Sequence, residues 1–260
     1  MDIQQQKQLR VLVIGDSCED VYHYGVCDRL SPEAPVPILK ESRTEVKPGM
    51  SANVVENLKS FGFEVLHIAN KSPIRKHRYV DERFSQHLFR VDEGEQCALD
   101  SVNIKKIKTI NKTLDAVIIS DYNKGFLSSY DCQEITRYFK GVPVFVDSKK
   151  NNLSCFENSF IKINEKEHKA VVALPNTSEL IVTLGSNGAL YNNRLYKTDK
   201  VEVYDVCGAG DVFICALVYQ YLLTLNLDDA IIFANRCASY SVGKFGVYVM
   251  DKEEIDDLRI

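Results

Sequence analysis

The sequence has no surplus of positive charge: 32 lysines and arginines stand against 36 aspartates and glutamates, a net charge of −4. Nucleic-acid binders usually show a basic excess or stripe, so DNA and RNA are left without an electrostatic footprint, and any anionic ligand must be held by local groups. No apolar run reaches the length of a membrane span, and the opening MDIQQQKQLR lacks the apolar core of a signal peptide. The eight cysteines, at positions 18, 27, 97, 132, 155, 207, 215 and 237, include no CxxC pair and no neighbouring histidine cluster. That spacing fits neither a zinc site nor a compact disulfide framework; reduced thiols, mostly core filler, are expected. The histidines at 23, 67, 77, 87 and 168 show no metal-ligand spacing either. Internal repeats, low-complexity tracts and Pro/Gly-rich linkers are missing. These absences predict a cytoplasmic protein with no nucleic-acid or membrane partner, folded as one domain over residues 1–260.

What is present is ordinary globular composition, 45% apolar and 26% charged, in a chain of 260 residues that can bury one sizeable core. VLVIGD at 11–16 reads as a buried parallel strand opening into a functional loop. VPILKES at 36–42 and the pair KHRYVDE and QHLFRVDE alternate apolar and polar residues, as half-solvated antiparallel strands do. SANVVENLKSFG at 51–62 has helical spacing, with Gly62 as its stop. Further on, DAVIISD (115–121), VPVFVDS (142–148), SFIKIN (159–164) and ELIVTLG (179–185) alternate with helices or connectors. This rhythm predicts βαβ units and a parallel sheet, with the ligand crevice beyond the strand C-termini. Asp16, Asp121, Asp147, Asn164 and Thr183 fall at those ends.

The stretch DVCGAGD at 205–211 runs straight into the apolar segment VFICALVYQYLL. If Gly208, Ala209 and Gly210 enter a helix starting near Asp211, their N–H groups point outward with the positive end of the helix dipole and form an anion site. An acid there would repel a resting phosphate. Asp211 is better explained as a base poised over an acceptor hydroxyl, while the amides stabilise charge on a transferring phosphoryl group. A tight turn with a helix cap is the plainer reading of the same residues.

The surrounding pieces support the first reading. VIGDSCED (13–20), YGVCDRLSPEAPVPI (24–38), KPGMSANVVENLKSFG (47–62), IISDYNKG (118–125), VDSK (146–149), DVCGAGD and FANRCASYSVGKFG (233–246) follow in an order and spacing that resemble the ribokinase (PfkB-type) carbohydrate kinases. RLSPEAPVP resembles the signature of the D-glycero-D-manno-heptose-7-phosphate kinase branch, and the resemblance covers nearly the whole chain. It implies a three-layer α/β ribokinase-like fold with a mostly parallel central sheet and a small β-sheet lid from about 22–47 and 74–92. It also implies ATP and Mg2+ as cofactors, leaves a monovalent cation open, and suggests a homodimer formed through the lid. The implied reaction is phosphorylation of the anomeric hydroxyl of the heptose 7-phosphate, with another sugar acceptor or a catalytically weak binding protein as alternatives.

Carried over residue by residue, the resemblance makes Asp211 the catalytic base and Gly208, Ala209 and Gly210 the anion hole. Asp16, Asp20, Gly49 and Asn53 match sugar-binding positions; an N-cap for Asp16 and a surface position for Asp20 are the plain alternatives. Lys124, Lys149, Lys76, Arg78 and Arg90 match basic positions suited to a sugar phosphate, where each alone would pass for a solvated charge. Asn164 and Glu167 match an Asn-x-x-Glu element near magnesium, acting through water, and also suit a helix start. Thr183, Gly185 and Gly188 match the nucleotide loop, which hairpin glycines would explain equally, and Asn235 falls on the segment flanking the adenine. The chain departs from the family pattern at Met50, where a second glycine is usual, and at Cys207, where threonine is usual. It also shortens the links between Leu66 and Pro73 and between Glu167 and Leu180.

Overall fold

A computed structural model describes residues 8–95, 101–110 and 113–259; residues 1–7 of the opening read above, and Cys97, lie outside them. In chain order its strands are β1 (Arg10–Gly15), β2 (Ser17–Leu30), β3 (Pro37–Met50), β4 (Glu64–Ala69), β5 (Arg75–Asp81), β6 (Gln86–Glu93), β7 (Ala116–Asp121), β8 (Val144–Ser148), β9 (Phe160–Asn164), β10 (Glu179–Thr183), β11 (Ala189–Tyr191) and β12 (Arg194–Tyr196). The helices are α1 (Ser51–Ser60), α2 (Ile104–Ile107), α3 (Ser129–Tyr138), α4 (Glu165–Ala170), α5 (Ala209–Thr224), α6 (Leu227–Val242) and α7 (Lys252–Leu258).

Eight strands form the central sheet in the order β12-β11-β10-β9-β8-β7-β1-β4, parallel from β4 to β10 and antiparallel for the last two. β1 explains the layering. Val11 and Val13 enter one core and Leu12 and Ile14 the other, and all four are fully buried. Such two-sided burial, worth roughly 1.5–3 kcal/mol per side chain, requires helices on both faces. The first core is closed by α1, α5 and α6, the second by α2 and α3. α5 is apolar on every side and buried from Asp211 to Val218, as a helix wedged between a sheet and other helices must be.

A second sheet, β3-β2-β5-β6, grows out of the first at one point. β1 ends at Gly15 and β2 starts at Ser17, while β3 ends at Met50 and α1 starts at Ser51. The outgoing and returning chains are stitched together where Ser51 N–H donates to the Asp16 carbonyl at 2.9 Å. β2 continues as strand through residues 17–30, where the sequence reading had a loop after β1. Its period-2 pattern is carried by Asp20, Tyr22 and Tyr24, all buried on one face. β5 lies antiparallel to β6, as expected of the pair, but parallel to β2. The shortened link after Leu66 leaves β4 as the sheet edge, and Asn70 ties the remaining connector to β2, accepting from Ser17 N at 2.6 Å.

The start of the crossing tolerates no side chain. A Cβ on Gly15 would stand 1.8 Å from the Ser120 carbonyl oxygen of β7, its paired residue. Gly15→Ala is therefore expected to push β1 and β7 apart and cost about 1–3 kcal/mol, the usual range for overpacking. A urea midpoint lowered at unchanged slope would bear this out; an unchanged midpoint would contradict it.

Candidate active site

The carboxyl ends of β1, β7, β8, β9 and β10 bring Asp16, Asp121, Asp147, Lys162, Asn164 and Thr183 to one rim of the sheet. α5 begins there. Gly208 precedes it at φ 79°, a left-handed conformation that suits glycine, and no side chain caps the helix. Asp211 sits in the first turn, where negative charge is favoured by the helix dipole. It is only 5% exposed.

Both Asp211 oxygens are held. Asn53 Nδ2 donates to Oδ2 at 2.7 Å, and the Tyr122 hydroxyl donates to Oδ1 at 2.8 Å. Asn57, one turn along α1, donates to Asn53 Oδ1 at 3.1 Å and so turns the Asn53 amide nitrogen toward the carboxylate. Beside them Lys162 Nζ and Asp147 Oδ2 form a buried ion pair at 2.7 Å. A Cβ on Gly210 would come within 2.8 Å of Lys162 Nζ, so this glycine makes room for the ammonium as well as for a ligand. Burial raises the Asp211 carboxyl above the usual carboxylate range against the donors Asn53 and Tyr122 and the Lys162 charge, and Asp147 adds to the rise. Burial opposes the Lys162 charge, yet Asp147 holds the ammonium above the ordinary lysine value.

The other anticipated residues divide into groups. Asp16 is buried, its carboxylate accepting the backbone N–H of Tyr122 at 2.7 Å and those of Lys124 and Phe126 at 3.3 and 3.4 Å. Asp20 is likewise buried and pairs with Arg78 at 2.8 Å. Gly49 faces that pair so closely that a Cβ would stand 2.3 Å from Asp20 Oδ2. Lys149 and Lys76 lie over the Tyr122 ring, 4.1 and 5.4 Å from its centroid. Burial lowers the Lys149 ammonium from its ordinary value. Arg90 and Lys124 are instead engaged locally, with Asp92 at 2.7 Å and Glu95 at 2.6 Å.

A cleft of about 560 Å³ adjoins the α5 turn, lined by Lys162, Asn164, Thr183, Gly185, Gly188, Ala209, Gly210 and Asn235, with Val201, Val203, Val206 and Phe213 as apolar walls. Five anticipated nucleotide-side residues thus share one cleft. Glu167 is not in its wall; it accepts from Asn164 N while Asn164 Oδ1 accepts from Glu167 N, a reciprocal cap on α4. Asn235 donates to the Tyr196 carbonyl at 2.8 Å. Among the described residues no group of three or more His, Cys, Asp or Glu side chains could hold a metal by themselves. No described helix is long and apolar enough to cross a membrane. Lys162, Tyr122, Asp147 and Asn57 were not singled out for chemistry by the sequence; only the positions of Asp147 at a strand end and of Tyr122 inside IISDYNKG hinted at two of them.

The fold is that of the ribokinase-like α/β proteins. Residues 150–254 match the family model described as pfkB family carbohydrate kinase. The chain is similar to ribokinase from Thermotoga maritima (TM-score 0.71, 18% identity, 96% of this chain and 99% of that one). It is also similar to Escherichia coli phosphofructokinase-2 in complex with fructose-6-phosphate (TM-score 0.72, 15% identity, 97% and 98% covered). Among curated proteins it is 34% identical to the bifunctional protein HldE of Nitratiruptor sp. over 95% of this chain and 64% of that protein. The match to HldE of Campylobacter curvus is 30% identical over 97% and 65%. The chain therefore spans just under two thirds of the length of these relatives.

The raised Asp211 carboxyl has a consequence for stability. A carboxyl raised on folding favours the folded state while protonated, and that contribution is lost as pH climbs from the unfolded value, about 4, through the folded one. Asp211→Asn lacks this dependence. Its stability relative to wild type should rise as pH climbs above about 4 and level off once the folded carboxyl has ionised, measured by urea denaturation at several pH values; a flat difference would contradict the burial effect.

Proposed function

We propose that the chain is an ATP-dependent sugar kinase with Asp211 as its general base. The observation that carries this reading is the buried Asp211 carboxylate in the first turn of α5, beside the Gly208–Ala209–Gly210 amides and the inner end of the cleft. The acceptor hydroxyl gives its proton to Asp211 as its oxygen takes the phosphoryl group, and ADP departs. Burial raises the proton affinity of Asp211 and thus suits it to that task. Lys162 and the turn amides stabilise the charge in transfer. Adenine fits between the apolar walls Val201, Val203 and Phe213. Asn164 would face the Mg2+ that accompanies the phosphates, with Glu167 reaching it through water; the cap leaves Glu167 one carboxylate oxygen for this.

For the acceptor we propose D-glycero-D-manno-heptose 7-phosphate, supported by the RLSPEAPVP resemblance and by the cluster of Lys76, Arg78 and Lys149 near the base. The local ion pairs of Arg90 and Lys124 favour a second reading, another sugar or sugar phosphate that needs fewer positive charges. The four-stranded sheet, which takes in the segments 22–47 and 74–92, acts in this proposal as a lid that shields the reaction from water. Its outer face exposes Val46 (58%), Phe89 (53%) and Val91 (47%), a surface suited to pairing two copies. Sedimentation is expected to give a dimer at micromolar concentration; a monomer with full activity would remove that part.

The test is an ATP-consumption screen over heptose and hexose phosphates. Activity should be greatest with the heptose 7-phosphate, and Asp211→Asn should fold but lose at least ~100-fold in turnover. Near-normal turnover would sink the base. Lys149→Ala should lower kcat/KM for the phosphorylated acceptor by roughly 10- to 150-fold, the worth of one charge-assisted contact, and hardly change the rate with the neutral sugar. Equal losses with both acceptors would exclude a phosphate clamp.

A further inference from the structure

Tyr122 makes a contact for which the proposed reaction has no use. Its phenol donates to Asp211 Oδ1 at 2.8 Å, the geometry an acceptor hydroxyl must adopt before giving up its proton. With Asn53 on Oδ2, the carboxylate is occupied on both sides. Several independent groups hold the phenol there. The Tyr122 N–H donates to Asp16 Oδ2 at 2.7 Å, and the ring packs on the buried cluster of Cys18, Met50 and Ile74. Lys149 Nζ stands 4.1 Å from the ring centroid. The next residue, Asn123, turns the chain at φ 56° with its N–H on Asp121 Oδ1 at 2.9 Å.

We propose that the Tyr122 hydroxyl is an internal stand-in for the acceptor: it occupies Asp211 while no sugar is bound, keeps water off the base, and yields its place when the acceptor arrives. The proposal rests on the reading of Asp211 as a general base. Water is the competing nucleophile in any kinase site, and a base open to it would hydrolyse the nucleotide without an acceptor. A phenol suits the guard's role because it offers a hydroxyl of the right geometry yet keeps its own proton. Burial and the neighbouring Asp211 charge both push the Tyr122 phenol well above its ordinary value. Tyr122 acts through Asp211 and is a positioning residue. Its predicted signature is an exchange of hydrogen bonds, Tyr122–Asp211 for acceptor–Asp211.

The experiment compares the full chain with Tyr122→Phe in three measurements: phosphate release from ATP alone, the split of KM and kcat for the acceptor found by the screen, and the pH profile. Acceptor-free hydrolysis should rise about 2- to 10-fold and the acceptor KM should fall by a similar factor, the worth of one hydrogen bond. kcat should change less than KM. The acid limb of kcat/KM should move to higher pH, because Asp211 loses a donor that favours its charged form. Unchanged hydrolysis together with unchanged KM would overturn the proposal. So would phosphate found on Tyr122 by mass spectrometry after incubation with ATP, since the phenol would then be an acceptor and not a guard. Tyr122→Leu carries the same expectations should the phenylalanine variant fail to fold. If Asp211→Asn leaves both hydrolysis and transfer untouched, the base assignment falls and the guard with it. If Asp211→Asn is inactive while Tyr122→Phe matches wild type in every measurement, the guard alone falls.

Discussion

A carboxylate held almost entirely out of water is the constraint from which the rest of this structure follows. Burying an ion without compensation is costly, and here the nearby Asp147 adds to the cost. Compensation comes from four directions. The dipole of α5 supplies positive potential, Lys162 supplies charge, and Asn53 and Tyr122 supply hydrogen bonds. Each source demands something of the sequence. The dipole needs a long helix that starts at the carboxylate, and α5 is apolar all round and buried over its first half. Lys162 needs a neighbour with no Cβ, which Gly210 provides. Asn53 needs its amide oriented, which Asn57 does from one turn away.

The second sheet is coupled to that charge cluster through its own buried ions. Arg78 on β5 pairs with Asp20 on β2 and reaches Cys207 Sγ at 3.7 Å, next to the Gly208 turn. His87 on β6 meets Asp205 Oδ2 at 3.4 Å on the same turn. Both contacts cross from the second sheet to the loop that leads into α5, so the two sheets are joined through the turn that starts this helix. The hinge is strained at Met50, which has φ 55° and ψ −131°, a conformation that glycine adopts freely and other residues at a cost of about 1–3 kcal/mol. Its side chain is buried with Cys18 and Ile74, and that packing offsets the strain. Met50 thus exchanges backbone freedom at the crossing for a filled wall beside Tyr122.

Much of this was legible in the sequence. β1, β7, β8, β9 and β10 announce themselves as short apolar runs ending in polar residues, and DVCGAGD, running into an apolar segment, marks the start of α5. The failures have physical causes. β2 hides its alternation because the residues it buries, Asp20, Tyr22 and Tyr24, are polar or amphipathic, and their burial depends on Arg78 and on Phe245 from distant parts of the chain. β4 is half-buried at an edge, so its pattern is blurred on both faces. Lys162 looks like the outward residue of a strand, and only the order β8-β9 sets it against Asp147. Conversely Arg90 and Lys124 resemble ligand-binding residues in sequence, but each finds an acid within a few residues or on the adjoining loop.

The charge balance of the site also bears on what it can receive. Asp211 and the adjoining Asp147 are set against the ammonium groups of Lys162 and Lys149, with Lys76 further out and Asp16 and Asp205 held by backbone N–H groups nearby. Lys162 is already committed to Asp147, and burial weakens the charge on Lys149. A nucleotide polyphosphate entering the cleft would therefore find Lys162 already engaged, with Lys200 on the cleft wall as a further ammonium group. The oriented amides of the Gly208–Gly210 turn and a cation carried in with the phosphates would add to its reception, with the acid Asp199 in the cleft wall and Glu165 and Glu167 at the start of α4. A site balanced in this way stays stable when empty and becomes strongly anionic only when loaded. Under the proposed reaction, that difference drives the proton of the acceptor toward Asp211 at the moment the phosphates are in place.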